Sequence, residues 1–220
     1  MERLAKILAS LYEVDHGAPH HQALMDLKGI LPEKMTYWDR NYGLQQMAEY
    51  AHHQVPEILD GGLRVLDVGP GVGWFMEVAK VCGCSVRGVD APISSRSGEA
   101  YCRVNATAGR RVAMRYTGVL DLIAGVSSDP GEWAHWFSLD VVHARGSLDA
   151  VFRPFKGPGF GGVLDLFCLG VSQMLRPGGF LHVSHNDDEM AEPILAGLEQ
   201  SSWLRFQRVN RFVTRHWNDG

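Results

Sequence analysis

Three glycines with the spacing of a ligand-binding turn occur in one segment of this sequence, which reads V-L-D-V-G-P-G-V-G. Residues 63–68 predict a buried strand and residues 74–81 a helix, so Gly69, Gly71 and Gly73 fall in the turn between them. Glycine carries no Cβ and tolerates positive φ, and the start of a helix offers backbone N–H groups that have no helical partner. The segment therefore predicts a turn whose backbone passes close to a bound ligand.

The spacing of the glycines and the position of the next acidic residue indicate which class of ligand the turn would bind. A nicotinamide or flavin fingerprint reads G-x-G-x-x-G, and its third glycine would fall on Trp74. That mismatch, and the lack of a Tyr-x-x-x-Lys pair, count against an NAD(P)-dependent oxidoreductase. Asp90 follows the second predicted strand, residues 85–89, about 20 residues after the turn, where a carboxylate can accept hydrogen bonds from ribose hydroxyls.

Four segments, taken in order, resemble successive motifs of class I S-adenosylmethionine-dependent methyltransferases. They are residues 67–73 (D-V-G-P-G-V-G), 88–90 (G-V-D), 139–145 (L-D-V-V-H-A-R) and 175–180 (L-R-P-G-G-F). The last two are most similar to small-molecule methyltransferases of the quinone and natural-product type. The resemblance implies that S-adenosylmethionine is the cofactor and that its methyl group passes to oxygen, nitrogen or carbon of a small-molecule acceptor.

The resemblance also implies which residues hold the cofactor. The turn residues would lie against its methionine part, Asp67 would help to hold its ammonium group, and Asp90 would accept hydrogen bonds from its ribose. The implied cofactor-binding set is Asp67, Gly69, Pro70, Gly71, Gly73, Asp90, Ala91 and His143. For the acid that often contacts the adenine amine in this family, Asp121 and Asp129 are both possible.

Candidate catalytic residues follow the fourth and fifth predicted strands, because ligands in such sheets bind outside the carboxyl ends of the strands. His143 and Arg145 lie at the end of the fourth strand, and His185 at the end of the fifth. Either histidine is a candidate general base near neutral pH, although methyl transfer can also proceed by alignment alone. Arg145 is a candidate partner for a substrate carboxylate or for Asp149.

Substrate contacts are expected from two further places. Asn186 follows His185, and the aromatic residues Tyr37, Trp38 and Tyr42 precede the motif-bearing part of the chain. These aromatic rings would either cover a cationic methyl donor or take part in ordinary side-chain packing. The glycine- and proline-rich residues 152–162 predict a loop, and its residues 157–162 would be a substrate flap or a surface excursion.

Alternating strands and helices predict the architecture that positions these residues. We expect an α/β fold with a doubly wound, Rossmann-like, mostly parallel sheet and an antiparallel hairpin within residues 204–217. Residues 1–45 are expected to form an N-terminal helical lid, and residues 46–220 the methyltransferase domain.

The charge and the apolar pattern of the sequence argue against some classes of binding partner. A net charge of -4 without a run of lysines or arginines argues against nucleic acid, and no apolar run approaches the roughly 18 residues of a membrane span. The spacing of cysteines and histidines matches no metal motif. We therefore expect a cytoplasmic protein that binds a small-molecule acceptor and no metal, with a homodimer possible. A non-catalytic module that binds S-adenosylmethionine for regulation or assembly is the alternative.

Overall fold

The computed structural model describes residues 2–13, 17–30, 39–91, 96–108, 113–128, 136–185, 189–210 and 213–219. The helices are α1 (Glu2–Tyr12), α2 (Gly17–Ile30), α3 (Arg40–Gln54), α4 (Glu57–Asp60), α5 (Trp74–Val81), α6 (Arg96–Thr107), α7 (Val119–Ser128), α8 (Leu148–Phe152), α9 (Phe160–Met174) and α10 (Ala191–Gln200). The strands are β1 (Arg64–Val68), β2 (Ser85–Asp90), β3 (Ala113–Tyr116), β4 (Leu139–Arg145), β5 (Leu175–Ser184), β6 (Arg205–Asn210) and β7 (Val213–Trp217).

The chain divides into two compact units, the first made of Met1–Gly62 and Pro70–Tyr116, the second of Leu63–Gly69 and Thr117–Gly220. In the first unit β2 and β3 pair in parallel, with Asp90 opposite Tyr116 at their ends. Helices α1 and α3 contact α5, and α2 contacts α6. The N-terminal helices thus pack on the helices that flank β2. Whether residues 1–45 act as a lid stays a prediction.

Trp74, the first residue of α5, is the centre of this packing. Its side chain is completely buried, and the ring of His20 from α2 meets it edge-on at 6.0 Å. A Cβ at Gly43 of α3 would lie only 2.3 Å from Trp74 Nε1. Helix α3 can therefore approach the indole this closely only because residue 43 is glycine.

In the second unit the strand order is β1-β4-β5-β7-β6. β1, β4 and β5 are parallel, whereas β7 runs antiparallel to both β5 and β6. The interior of this unit is built from apolar strand residues that expose no more than 1% of their surface, namely Leu66, Val141, Val142, Leu181 and Val183. Helix α9 packs on α7, α10 and β5. The predicted α/β class, with a mostly parallel sheet and a C-terminal antiparallel hairpin, is confirmed.

Three elements differ from their predicted bounds. The sequence predicts a single helix over residues 44–59, but α3 ends at Gln54 and α4 starts at Glu57, because Pro56 has no N–H to continue the helical bonding. The predicted loop is shorter than expected, since a 3-10 helix covers Arg153–Phe155 and α9 already begins at Phe160. The sequence R-P-G-G predicts a turn at residues 176–179, but these residues lie inside β5, where the register with β4 shifts.

Within the described residues, no helix has the length and apolar character needed to cross a membrane.

Candidate functional site

The glycine turn has the backbone conformation for which glycine is needed. Gly69, Gly71 and Gly73 have φ values of 70°, 57° and 79°, all in the left-handed region. Gly73 precedes the first residue of α5, which begins at Trp74 as predicted. Residues with a Cβ pay a cost of about 1–2 kcal/mol in this region, so each of the three glycines relieves strain.

Asp90 in the first unit is bonded to this turn. Its Oδ2 accepts a hydrogen bond from the backbone N–H of Gly71 at 2.8 Å, and its Oδ1 accepts one from the N–H of Ala91 at 2.7 Å. The residue is 8% exposed and ends β2. The two backbone donors hold the carboxylate in one orientation beside Gly71, which is where the sequence predicts a ribose-binding acid.

The space beside Gly71 is bordered by an aromatic ring. Among the described residues, the nearest atoms to a Cβ built at position 71 are Cε1 and Cζ of Tyr101 from α6, both at 3.7 Å. That distance is an ordinary van der Waals contact, so the ring lines this side of the turn without pressing on it. A buried carboxylate, a backbone without Cβ and an aromatic ring are features that suit a nucleoside.

Asp67 in the second unit is paired with His143. The imidazole Nδ1 and the carboxylate Oδ1 are 2.7 Å apart, and the residues expose only 1% and 2% of their surface. Asp67 Oδ2 has no hydrogen-bond partner among the residues that the structure describes. Asp67 is therefore held by a hydrogen bond to His143 within the protein. Its predicted role toward a cofactor ammonium group stays a prediction.

The pair belongs to a set of four ionisable side chains in one register across neighbouring strands, which we call the polar row. Asp67 of β1 is opposite His143 of β4, His143 is opposite His182 of β5, and His182 is opposite Arg215 of β7. The rings of His143 and His182 stack with centroids 5.7 Å apart and planes tilted by 9°. The guanidinium of Arg215 lies over the ring of Phe180, 5.0 Å from its centre.

Ser147, a residue that the sequence did not single out, holds the end of β1. Its hydroxyl donates to the carbonyl of Val68 at 2.6 Å. A Cβ at Gly69 would lie 2.4 Å from the Ser147 Cβ. Position 69 thus requires glycine for two reasons: its φ is positive, and Ser147 leaves no room for a Cβ. The only signal in the sequence was the position of Ser147 just after the fourth strand.

His185 follows β5 and faces Asp149 at the start of α8. The distance between His185 Nδ1 and Asp149 Oδ1 is 3.4 Å, and the residues are 6% and 3% exposed. His185 Nε2 and Asp149 Oδ2 have no hydrogen-bond partner within the described parts of the chain. Asp149, which the sequence offered as a partner for Arg145, is therefore next to a candidate base, while Arg145 is exposed.

The remaining predicted residues are only partly described. Tyr42 lies on α3 and is 46% exposed. Tyr37, Trp38 and Asn186 lie outside the described residues, as does Asp129. Asp121 is exposed on α7. The substrate contacts and the adenine acid therefore stay predictions.

Two buried histidines make stability depend on pH. Burial lowers the pKa of His182 well below its usual value, with further lowering by His143, Arg215 and His216. Burial also lowers the pKa of His216 to about 4, with His185 adding to the effect. The His216 ring bonds to the Thr214 hydroxyl at 2.9 Å. Both rings are thus most stable in their neutral form in the folded protein.

We predict that the free energy of unfolding falls as the pH drops from about 6.5 to about 4. In this window the unfolded chain takes up protons on these histidines, whereas the folded protein resists protonation. The decline is measured by urea unfolding at pH 7 and pH 4.5, and His216→Gln is expected to remove roughly 2 kcal/mol of it between these two pH values. His53→Gln, at an exposed histidine of α3, is the control. An equal decline in the His216 variant and in the wild type would contradict the prediction.

Comparison with known proteins gives a likeness of fold. No protein-family model and no curated protein matches the chain. A structure solved for the conversion of a disulfide bond into a thioacetal group during echinomycin biosynthesis is 17% identical, with a TM-score of 0.50, over 78% of this chain and 81% of the other.

Two other solved structures are longer than this chain. An S-adenosylmethionine-dependent methyltransferase from Mesorhizobium loti is 24% identical, with a TM-score of 0.40, over 68% of this chain and 53% of its own. The [4+2]-cyclase SpnF is 21% identical, with a TM-score of 0.49, over 77% of this chain and 59% of its own. The chain therefore spans little more than half of these two proteins. The likeness to the echinomycin structure is a likeness of fold alone.

Proposed function

We propose that this protein transfers a methyl group from S-adenosylmethionine to oxygen, nitrogen or carbon of a small organic acceptor. The observation that carries the proposal is the hydrogen bond between Asp90 and the backbone N–H of Gly71, in a turn of left-handed glycines. A small acceptor is preferred to nucleic acid because the chain has a net charge of -4.

The residues present fit this cofactor. Each oxygen of a carboxylate can accept more than one hydrogen bond, so Asp90 can bind ribose hydroxyls while it still accepts from Gly71 and Ala91. The ring of Tyr101 lies beside the turn. When bound, S-adenosylmethionine supplies a methyl group on a positively charged sulfur, open to in-line attack. The protein's main task is then to hold the donor and to align the acceptor.

His185 is the stronger candidate for accepting a proton from the acceptor. It lies at the carboxyl end of β5, where ligands of open α/β sheets bind, and its Nδ1 faces Asp149. His143, by contrast, stacks on His182 inside the sheet. We assign the base to His185 because it directly follows the carboxyl end of β5 and its Nε2 has no hydrogen-bond partner among the described residues. Arg145, which is exposed, would bind an acidic group of the acceptor.

His185→Gln is therefore expected to lower kcat roughly 100-fold or more for a hydroxyl or amine acceptor, since general-base catalysis contributes effects of that size. The affinity for S-adenosylhomocysteine, the demethylated product, should stay as in the wild type. His53→Gln serves as the matched control. An unchanged kcat in the His185 variant would mean that alignment alone drives the transfer.

Two experiments test the proposal. The first is isothermal calorimetry with S-adenosylhomocysteine. The second is a set of methylation assays on a panel of small hydroxyl, amine and carbon acids, with the products detected by mass spectrometry. Binding together with mass gain on an acceptor supports it. Binding without transfer to any acceptor would favour a regulatory or assembly module. No binding of the nucleoside, together with a fluorescence response to NADH, would reject the proposal in favour of an oxidoreductase.

A further inference from the structure

Asn105 contacts the glycine turn from a helix that carries none of the motifs. It lies in α6, and its side-chain Nδ2 donates to the carbonyl of Gly71 at 2.8 Å and to that of Tyr101 at 2.9 Å. The bond to Tyr101 stays within α6, whereas the bond to Gly71 joins this helix to the glycine turn.

Gly71 is consequently held on both sides. Its N–H donates to Asp90 at the end of β2, and its carbonyl accepts from Asn105 of α6. The two bonds fix the peptide units before and after a residue whose φ is 57°. Glycine has the largest conformational freedom of all residues, so a glycine in a turn needs such restraint to keep one conformation. The pair of bonds thus fixes the conformation of the backbone to which the Asp90 carboxylate is hydrogen-bonded.

We propose that Asn105 is a positioning residue, which keeps Gly71 and Asp90 in the arrangement that receives the nucleoside without touching the nucleoside itself. This inference rests on the proposed function for its ligand. The bond from Asn105 to the turn does not depend on that function. Loss of the Asn105 donor leaves the Gly71 carbonyl without this bond and makes the turn more mobile. The Asp90 carboxylate is then hydrogen-bonded to the Gly71 amide for a smaller fraction of the time. Affinity then falls because ordering has to be completed on binding.

Asn105→Asp and Asn105→Ala test the inference. The aspartate has the same shape but sets an acceptor against the Gly71 carbonyl, and the alanine removes the contact without adding charge. Asn41→Asp, the same change at an exposed position of α3, is the matched control. The readouts are the affinity for S-adenosylhomocysteine by calorimetry and the hydrogen-exchange rate of the Gly71 amide by NMR. The Gly62 amide, which donates to Gly83 in the same unit, is the internal reference.

We expect both Asn105 variants to bind S-adenosylhomocysteine about tenfold more weakly and to exchange the Gly71 amide at least tenfold faster, with the Gly62 amide unchanged. Exchange that speeds up equally at Gly62 and Gly71 would show a general loosening and overturn the inference. So would wild-type affinity and exchange in the alanine variant. A wild-type protein that binds no S-adenosylhomocysteine would reject the proposed function, whereas selective exchange at Gly71 would still establish that Asn105 holds the turn.

Discussion

Replacing Asp90 by alanine is expected to weaken the binding of S-adenosylhomocysteine by about two orders of magnitude or more, because hydrogen bonds to a charged group contribute about 1.5–3 kcal/mol each and a ribose offers two hydroxyls. The variant also loses the acceptor for the Gly71 and Ala91 amides. Asp90→Asn separates the two effects. It keeps an oxygen for one of these amides but carries no charge.

Calorimetry on both variants checks this prediction, with Glu99→Gln at an exposed carboxylate of α6 as the control. We expect the asparagine variant to lie between alanine and wild type. The melting temperature of each variant should be recorded in the same buffer, so that a loss of folded protein is not read as a loss of affinity. Wild-type affinity in Asp90→Ala would exclude the ribose contact and with it the proposed site.

Gly71→Ala is expected to lower the affinity for S-adenosylhomocysteine by more than tenfold, and Gly62→Ala to leave it unchanged. Both glycines have positive φ, 57° and 72°, so both substitutions carry a similar strain of about 1–2 kcal/mol. Neither new Cβ meets a close atom, since the nearest contact at Gly71 is at 3.7 Å and nothing lies within 4 Å at Gly62. The two variants thus match in strain and differ in whether the methyl group enters the space beside Tyr101.

Equal losses of stability, measured by thermal unfolding, would confirm that the pair is matched. The difference in affinity between the two variants then reports only on the space beside the turn. Equal affinities in both variants would show that no ligand approaches Gly71.

The turn and Asp90 could be predicted from the sequence because their conformation is set locally. Gly69, Gly71 and Gly73 have the positive φ that their type and spacing indicate, and Asp90 ends β2 where the strand pattern places it. Helix α9 was missed because Gly161 and Gly162 read as a loop. Both are exposed in its first turn, where a helix tolerates them, and the apolar residues that follow are buried.

Contacts between distant parts of the chain could not be predicted. Asp67 and His143 are 76 positions apart, and only the register of β1 with β4 brings them together. Asn105 meets Gly71 across 34 positions through the packing of α6, a contact that periodicity does not indicate. His185 and Asp149 were both noted, but nothing in the pattern linked them as a pair. In each case the missing information is which side chains tertiary structure places opposite each other.

The polar row has a consequence for how this protein can change through evolution or engineering. Its four members lie in one line through the second unit, so each side chain sets the electrostatic environment of the next. A buried carboxylate that loses its imidazole neighbour is far costlier than a pair exchanged together for apolar residues. The effect of a substitution at one position of the polar row should therefore depend strongly on the residues at the other positions. We expect stable variants to carry two substitutions that compensate each other, and single substitutions to be destabilising.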